Sequence, residues 1–371
     1  MENLVNFRQY YAGRRVWISG HTGFKGSWLA LWLNDLGASV SGYALTPPTT
    51  PSHFEALGLE DLIEHEIGDV RNLQGVAASV SAASPDIVFH LAAQPLVRMS
   101  YDCPLDTLST NIMGTAHVLD AVRLLDKPCA VVVVTTDKVY ENAGTGLPYR
   151  ETDQLGGHDC YSASKAAAEI VTSAYARSFF HGKRGVISAA TARAGNVIGG
   201  GDWAGDRIVP DCIRHLMQGR PVPVRNPLAT RPWQHVLEPL GGYLQLGARL
   251  LGGDAFVSGM HLGLNDAAFN FGPGPGSERS VRELVENVLL RWPGSWIDRT
   301  DTSAVHEASN LALSIDKAES LLQWSPLWGF EEAVSRTVDW YRDAQDCRTV
   351  GDFRRLTRAQ IEAYTECAAL K

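Results

Sequence analysis

The sequence predicts an α/β protein in which a doubly wound, mostly parallel sheet carries helices on both faces, followed by a smaller C-terminal substrate-binding domain. Short, almost wholly apolar segments alternate with helical patterns, as in parallel sheets that are buried on both sides. A glycine-rich loop joins the first apolar segment to a helix. The chain of 371 residues, 45% of them hydrophobic, is long enough for one large domain or two smaller ones.

Five apolar segments predict the strands of the sheet. The first, Arg15 to Ser19 (RVWIS), leads through the glycine loop into the helical pattern SWLALWLNDLG, which Gly37 ends. A second helical pattern covers Thr110 to Leu125. The other predicted strands, in chain order, are Val40 to Ala44, Ile63 to Ile67, Asp86 to His90 and Ala130 to Val134.

The strand–helix alternation stops after about residue 192. Three glycines, 199–201, and the Pro- and Arg-rich stretch 219–235 interrupt it. Helical patterns at Ser280 to Leu290 and Phe330 to Arg342 follow. The predicted division is a dinucleotide-binding domain of residues 1–192 plus about 233–263, and a substrate domain of about 193–232 and 264–371.

Composition argues against several classes of function. The net charge of -8 speaks against nucleic acid or an anionic membrane as the main partner. The N-terminal segment has no apolar signal core and the apolar runs are strand-length, so we expect a cytoplasmic protein with no membrane span. The six cysteines are scattered without a C-x-x-C pair, which predicts reduced thiols and no structural metal site.

A glycine-rich loop opens the first strand–helix unit with the spacing G-x-x-G-x-x-G. Glycines there let the backbone approach a pyrophosphate at the N-terminus of the helix, as in Rossmann-type dinucleotide-binding folds. A structural turn without a ligand is the alternative. We predict a dinucleotide site formed by Gly20, Thr22, Gly23, Phe24, Lys25 and Gly26.

The loop does not decide between NAD and NADP. NAD sites usually have an acidic residue at the end of the second strand to hold the ribose, but this chain has GYALTPP, Gly42 to Pro48. Lys25 could pair with a pyrophosphate or with a ribose phosphate. Asp69, in GDV after the third strand, is expected to accept a hydrogen bond from the adenine amino group, or else to be a simple turn residue.

A tyrosine and a lysine four residues apart open a later helix, at Tyr161 and Lys165 in YSASK. Residues at this spacing share one face of a helix. A nearby ammonium lowers the pKa of a phenol by favouring the phenolate. Such a tyrosine can take the proton of an alcohol whose carbon gives hydride to nicotinamide. An exposed helix start with a serine cap is the alternative.

An acid and a base follow the fifth predicted strand. Thr135 and Thr136 end the strand, and Asp137 and Lys138 come next. Open α/β sheets bind ligands at the carboxyl ends of their strands, so we expect this pair in or beside the crevice that holds Tyr161. Neighbours on a regular strand point to opposite faces, so both can reach the crevice only if the strand ends here. An ordinary surface ion pair is the alternative.

These motifs together resemble the extended short-chain dehydrogenase/reductase family and, within it, the sugar-nucleotide 4,6-dehydratases. Sister enzymes usually have Thr-Asp-Glu where this chain has Thr136-Asp137-Lys138, and the lysine is similar to the branch that acts on CDP-glucose. Cys160 departs from the branch, which usually has proline before the tyrosine. The resemblance runs from residue 16 to about 341 and is carried by GHTGFKGSWLALWL, GDVRN, HLAAQPLVR, TTDKVYEN, GGHDCYSASKAAAE, RAGNVIGGGDW, RNPLATRPWQHVLEPL and NFGP.

The resemblance implies an NAD-dependent lyase that converts CDP-glucose to CDP-4-keto-6-deoxyglucose and water. Hydride leaves carbon 4 while Tyr161 takes the hydroxyl proton and Thr136 bonds that hydroxyl; hydride later returns to carbon 6. In between, water is eliminated across carbons 5 and 6, with Asp137 as the acid and Lys138 as the base. An ion pair would stabilise the charged forms of both, so we expect the site to hold them apart.

Other positions are implied by the family pattern. Gln94 is expected to bond sugar hydroxyls, or else to be a loop amide. Asn196 and Arg231 are expected to hold the pyrophosphate. Arg225 is expected to bind substrate, or else to be a surface charge. The residues expected to line the cofactor, beyond the loop and Asp69, are Val70, Leu91, Ala92, Ala93, Tyr161 and Lys165.

Three other readings stay open. One is a 4,6-dehydratase that acts on another nucleotide sugar. A sugar-nucleotide 4-epimerase would share the glycine loop and the Tyr–Lys pair but would have no use for Asp137 and Lys138. A dinucleotide-sensing regulator would keep the fold but tends to lose the Tyr–Lys pair, which is intact here. Members of the family commonly pair through two helices, so the resemblance implies a homodimer or a dimer of dimers.

Overall fold

A central sheet of seven parallel strands organises the computed structural model, which describes residues 7–142, 144, 146–180, 187–252, 267–274, 276–300 and 312–370. Side by side, the strands have the order β11-β6-β5-β4-β1-β2-β3. In chain order they are β1 (Arg15–Ser19), β2 (Ser39–Ala44), β3 (Glu64–Ile67), β4 (Ile87–His90), β5 (Cys129–Thr135), β6 (Ile187–Arg193) and β11 (Ala268–Asn270). This arrangement confirms the predicted doubly wound parallel sheet.

Three small strand pairs lie outside the sheet. They join β7 (Val197–Ile198) to β10 (Gln234–His235), β8 (Val222–Val224) to β13 (Trp296–Asp298), and β9 (Thr230–Pro232) to β12 (Glu278–Ser280). The described helices are α1 (Phe7–Tyr11), α2 (Phe24–Asp35), α3 (His53–Ala56), α4 (Leu73–Ala83), α5 (Val97–Asp102), α6 (Pro104–Leu108), α7 (Gly114–Arg123), α8 (Cys160–Tyr175), α9 (Ile208–Met217), α10 (Leu237–Leu251), α11 (Val281–Arg291), α12 (Phe330–Asp343) and α13 (Val350–Ala369).

The central strands β1 and β5 are buried on both faces of the sheet. On β1, Val16 and Ile18 belong to the core that includes α2 and α10, whereas Trp17, between them, belongs to the core with α4 and α7. On β5, Val132 and Val133 divide between the two cores in the same way. The interior positions of β1 and β5 therefore need apolar residues, and the polar residues of these two strands lie at the strand ends.

All five predicted strands are confirmed, but β6 and β11 were not predicted. The segment ISAATAR of β6 is mostly small or polar and does not form an apolar run, although it lies between β5 and β11 inside the sheet. β11 has only three residues. Strand propensity is decided by burial and neighbours, which the sequence does not display.

A twenty-residue helix at the C-terminus, α13, was also not predicted. Its side chains contact the dinucleotide-binding half of the chain: Arg358 lies 2.7 Å from Asp35 of α2, and Arg354 donates to the carbonyl oxygen of Gly58 at 2.6 Å. A capping box between Thr349 and Asp352 marks its start and is visible in the sequence. The two-domain division remains a prediction, and residues 253–266 of it lie outside the described residues.

A buried carboxylate ties the C-terminal segments to α10. Glu238 is 0% exposed and accepts hydrogen bonds from the backbone N–H groups of Leu327 and Trp328, the latter at 2.7 Å. The hydroxyl of Tyr364, on α13, donates to the same carboxylate at 3.1 Å. A buried charge is stable only when its hydrogen bonds are satisfied, so Glu238 fixes where α13 packs.

Within the part of the chain that the structure describes, no helix has both the length and the apolar character needed to cross a bilayer. All six cysteines are free.

We expect the substitution Tyr364→Phe to lower the free energy of unfolding by about 1.5–3 kcal/mol, because it removes a donor from a buried charged acceptor. Urea denaturation with intrinsic fluorescence measures the change. Tyr10→Phe, at a half-buried tyrosine of α1, is the control and should change stability by less than about 0.5 kcal/mol. Equal stability of Tyr364→Phe and wild type would contradict this account of Glu238.

Candidate active site

The glycine loop has the close backbone packing that a dinucleotide cradle requires. Gly20 has φ +79°, and a Cβ there would lie 2.7 Å from the backbone nitrogen of Ala92. A Cβ at Gly26 would lie 2.1 Å from the carbonyl oxygen of Gly20. Gly23 is the N-cap of α2, so no side-chain cap bonds the N–H groups of the first turn. These residues fit a pyrophosphate.

Two histidines lie in the region where NAD sites usually have an acidic residue that holds the ribose. The ring of His21 lies against Gly42 of β2, where a Cβ would come within 2.4 Å of it, and Nε2 of His21 is 2.7 Å from Nδ1 of His65. Burial, reinforced by the charge of His65, lowers the pKa of His21 to about 3. His21 is therefore neutral at physiological pH and offers no positive charge to a ribose phosphate.

Asp69 is engaged by a neighbour rather than open to an adenine. Arg71 lies 2.6 Å from its carboxylate and also approaches Asp106 at 3.0 Å. The side-chain hydrogen bond from Arg71 is the main cause that lowers the pKa of Asp69. The next residue, Val70, packs against Gly114 of α7, where a Cβ would lie 2.7 Å from it. The adenine contact of Asp69 stays a prediction.

The loop after β4 passes beside the glycine loop. Leu91 and Ala92 border Gly20, and the N–H of Ala92 donates to Oγ of Ser19 at 3.2 Å. Ala93, half-buried, follows in the same loop. These positions fit the predicted lining of the cofactor.

Gln94 uses its side-chain amide within its own loop. Nε2 donates to the carbonyl of Leu96 and to Thr107, and Oε1 accepts from the N–H of Leu96 at 2.6 Å. Sequence reasoning missed Asn111, whose side chain accepts from the N–H of Gln94 and donates to Oγ of Ser164 on α8 at 2.8 Å. The structure thus places Gln94 as a loop amide, and its contact with sugar hydroxyls stays a prediction.

Tyr161 lies at the start of α8, where Asp159 caps the helix by accepting from the N–H of Ser162 at 2.9 Å. Burial raises the pKa of Tyr161 to about 12, and a hydrogen bond with Thr136 lowers it in part. Lys165, one turn on, donates to the carbonyl of Val134 at 3.1 Å, and burial lowers its pKa to about 8. The structure therefore brings Thr136, Tyr161 and Lys165 to the carboxyl end of β5.

Asp137 and Lys138 leave the end of β5 in one helical turn, Asp137–Val139, so both lie at the crevice edge. Asp137 is 0% exposed; Oδ1 accepts from Oγ1 of Thr136 at 2.9 Å, and Oδ2 has no hydrogen bond among the described residues. Nζ of Lys138 lies 3.3 Å from Asp137 Oδ1. The expected separation is not found, because the flexible lysine side chain folds back onto its neighbour.

Further basic groups converge on this pair. Lys25 is half-buried, with Nζ 3.4 Å from the hydroxyl of Tyr243 on α10. Burial lowers the pKa of Lys25 to about 7, the charges of Arg207 and Lys165 lower it further, and Asp137 opposes them. Sequence reasoning missed Arg207, which no motif marked; it lies 2.8 Å from Asp202. The site can thus hold groups with several negative charges.

The predicted phosphate-binding residues fall into two environments. Asn196 has φ +51°, and its buried Oδ1 has no hydrogen bond among the described residues. Arg231 is buried on β9 and donates to the carbonyl of Thr230 at 2.9 Å. Arg225, by contrast, is half-buried, with 40% of its side chain exposed, and it forms an ion pair with Asp206 at 2.7 Å, which fits the surface-charge alternative. Among the described residues, no group of three or more His, Cys, Asp or Glu side chains could hold a metal ion.

Solved structures of an epimerase and of a dTDP-glucose 4,6-dehydratase share the fold. An epimerase from Methanothermobacter thermautotrophicus superimposes with a TM-score of 0.74 at 24% identity, covering 92% of this chain and 95% of that one. A dTDP-glucose 4,6-dehydratase from Bacillus anthracis, in complex with NAD, has a TM-score of 0.69 at 19% identity, covering 89% and 97%. At these identities the likeness establishes the fold.

Comparison by sequence gives the family. Residues 17–241 match the model of the GDP-mannose 4,6 dehydratase family. The CDP-glucose 4,6-dehydratase of Salmonella typhimurium is 45% identical over 344 residues, which cover 90% of this chain and 92% of that protein. The dTDP-glucose 4,6-dehydratase of Streptomyces antibioticus is 30% identical over 70% of this chain and 71% of its own length. With its seven-stranded sheet and its Thr-Asp-Lys, Tyr and Lys at one edge, the chain belongs to the sugar-nucleotide 4,6-dehydratase family of extended short-chain dehydrogenases/reductases.

Proposed function

We propose that this protein is a lyase that uses NAD to convert CDP-glucose into CDP-4-keto-6-deoxyglucose and water. The observation that carries the proposal is the meeting of two kinds of group at the end of β5. Tyr161, hydrogen-bonded with Thr136, can handle the proton of an alcohol, and Asp137 with Lys138 adds an acid and a base. The relative from Salmonella typhimurium, 45% identical, is a CDP-glucose 4,6-dehydratase.

NAD fits the glycine loop and the crevice beside it. Gly20 and Gly26 leave no room for side chains, the first turn of α2 offers N–H groups to a pyrophosphate, and Lys25 adds a positive charge. A neutral His21 offers no positive charge to the extra phosphate of NADP. When bound, NAD accepts hydride from the sugar and later returns it.

Tyr161 takes the proton of the carbon 4 hydroxyl, and Thr136 holds that hydroxyl in line. A phenol with a pKa of about 12 needs help to act as a base. The positive charge of Arg207 already lowers this pKa, and the ammonium of Lys165 stands on the same helix face, one turn away. Both cations stabilise a phenolate at the moment of proton transfer.

Asp137 and Lys138 carry out the elimination from the ion-paired state that the structure shows. Moving one proton from Nζ of Lys138 to Oδ1 of Asp137, 3.3 Å away, turns the pair into a neutral acid and a neutral amine. Lys138 can then remove the proton from carbon 5, and Asp137 can protonate the hydroxyl that leaves carbon 6. The ion pair thus holds the acid and the base side by side, and one proton transfer between them changes the charge of both.

A homodimer, or a dimer of such dimers, is the proposed assembly, in the cytoplasm. Its support is a set of exposed apolar side chains on the Tyr–Lys helix and on segments next to it, namely Met99, Leu105, Met113, Ile170 and Phe179. Apolar surface of this kind is commonly covered by a partner. Light scattering coupled to size-exclusion chromatography measures the assembly size.

Incubation with CDP-, dTDP-, UDP- and GDP-glucose plus NAD should give a 4-keto product from CDP-glucose alone at an appreciable rate. The ketone is read from its absorbance in base. Since hydride returns to the sugar, reduced cofactor should not accumulate with product. One reduced cofactor per product would show an ordinary dehydrogenase, and a C4-epimerised sugar without ketone would show an epimerase.

Lys138→Met should slow ketone formation by roughly 100- to 10,000-fold, the usual contribution of a general base, and should leave NAD binding nearly intact. In deuterated water the variant should put no deuterium on carbon 5 within the same time. Asp137→Asn should impair loss of the hydroxyl more than removal of the proton, and therefore allow exchange at carbon 5 without matching product. Turnover of Lys138→Met within a few-fold of wild type would show that Lys138 is not the base.

The affinity for NAD should fall as the pH rises from about 6 to about 9. Lys25 and Lys165 have pKa values lowered to about 7 and about 8, so both are cations at the lower pH and lose their charge across this range. Each lost proton weakens diphosphate binding by up to about tenfold per pH unit. Calorimetric titration measures the slope. Lys25→Met should flatten it, whereas Lys127→Met, at a lysine paired with Asp86, should not.

A further inference from the structure

A closed polar network lies beneath the turn that carries Asp137 and Lys138. Its centre is the ion pair between Arg193, on β6, and Glu169, on α8, whose side chains are 0% and 1% exposed. Nε of Arg193 lies 2.8 Å and 2.9 Å from the two carboxylate oxygens, and a second guanidinium N–H donates to the same carboxylate. Buried charges that are fully paired hold a single geometry, so this pair is a fixed point next to the turn.

Both ends of the turn are tied to this ion pair. Thr135, the last residue of β5, donates from Oγ1 to Glu169 at 2.6 Å. Tyr140, the first residue after the turn, accepts from Nη1 of Arg193 at 2.7 Å, and its hydroxyl donates to Oδ1 of Asn270 on β11 at 2.7 Å. The segment between Thr135 and Tyr140 is the turn itself. The network therefore sets where the acid and the base stand.

The ring of Tyr140 is held as firmly as its hydroxyl. It stacks on Tyr149 with a centroid distance of 4.9 Å and an interplanar angle of 14°, and the guanidinium of Arg193 lies 4.8 Å from the ring centroid. Burial raises the pKa of Tyr140 well above its ordinary value. The phenol thus stays protonated with its donor and acceptor both in use, and it has no proton to exchange with a substrate.

We propose that Tyr140 is a positioning residue that acts on the elimination and not on the oxidation at carbon 4. Its hydroxyl clamps the end of the turn that follows Lys138. Tyr161 is positioned by α8 and its Asp159 cap, and its hydrogen-bond partner Thr136 adjoins Thr135, whose bond to Glu169 holds the other end of the turn. Loss of the hydroxyl frees one end of the turn and leaves the tyrosine–lysine face of α8 in place. This inference rests on the proposed function for its choice of reaction step.

Tyr140→Phe keeps the stacked ring and removes only the clamp. Ketone formation from CDP-glucose should fall by about 10- to 100-fold, the usual effect of displacing a catalytic group by about 1 Å, with KM nearly unchanged. CDP-6-deoxyglucose isolates the first step, because it can be oxidised at carbon 4 but has no hydroxyl to lose from carbon 6. The rate at which added NAD is reduced by this analogue should stay within about twofold of wild type. A merely structural defect would lower both rates together.

Tyr149→Phe is the matched control. It removes a hydroxyl from the other ring of the same stack, one that donates to Asn142 at 3.1 Å and lies outside the clamp. Both rates should match those of wild type. Equal losses in the two variants, or equal losses in both rates of Tyr140→Phe, would overturn the proposal.

Hydrogen exchange separates the clamp from the proposed function. The peptide that covers residues 135–141 should exchange faster in Tyr140→Phe than in wild type or Tyr149→Phe, in the absence of any substrate. Unchanged exchange would overturn the clamp even if CDP-glucose is the substrate. Faster exchange in a protein whose wild type forms no ketone would keep the clamp and overturn both the proposed function and the elimination role.

Discussion

Burial of the sheet on both faces is the constraint from which the rest of the structure follows. A parallel strand between two layers of helices has no solvated side, so β5 is buried along its whole length and can carry charge only beyond Thr135. Asp137 and Lys138 stand at the first positions where a carboxylate and an ammonium are tolerated. The chain turns there in a single helical turn, and this turn lets two neighbours share one crevice.

The same effect of burial acts along helix α8, which runs from the edge of the sheet into the interior. Tyr161, Lys165 and Glu169 follow one another at intervals of four residues along one face. Tyr161 stands at the crevice, but Glu169 is two turns deeper, where water cannot solvate a carboxylate. It needs a buried counter-charge, and Arg193 on β6 supplies it. The ion pair that the buried Glu169 requires therefore also anchors the turn that carries Asp137 and Lys138.

The crevice takes its electrostatic character from positive side chains that lie close to one another in it. Lys25, Lys165 and Arg207 reach it from the glycine loop, from α8 and from the segment before α9. Burial lowers the pKa values of both lysines, and the charges of Arg207 and Lys165 lower that of Lys25 further. An anionic diphosphate that binds here would therefore be stabilised by these positive charges and would stabilise them in turn. Burial raises the pKa of Tyr161 in this crevice, and the charge of Arg207 acts in the opposite direction.

The sequence by itself determined the local relations: the strand–glycine loop–helix unit, the five apolar strands, the helix spacing of Tyr161 and Lys165, and the adjacency of Asp137 and Lys138. These depend on periodicity and on contacts between near neighbours along the chain. It could not show β6, α13, Arg207 or Asn111, whose places depend on packing. Only the tertiary structure decided that Arg71 also pairs with Asp106 and that Gln94 also bonds Thr107. The bond from Tyr140 to Asn270, 130 residues away, has the same origin, because a hydrogen-bond partner is chosen by distance in space after the chain has folded.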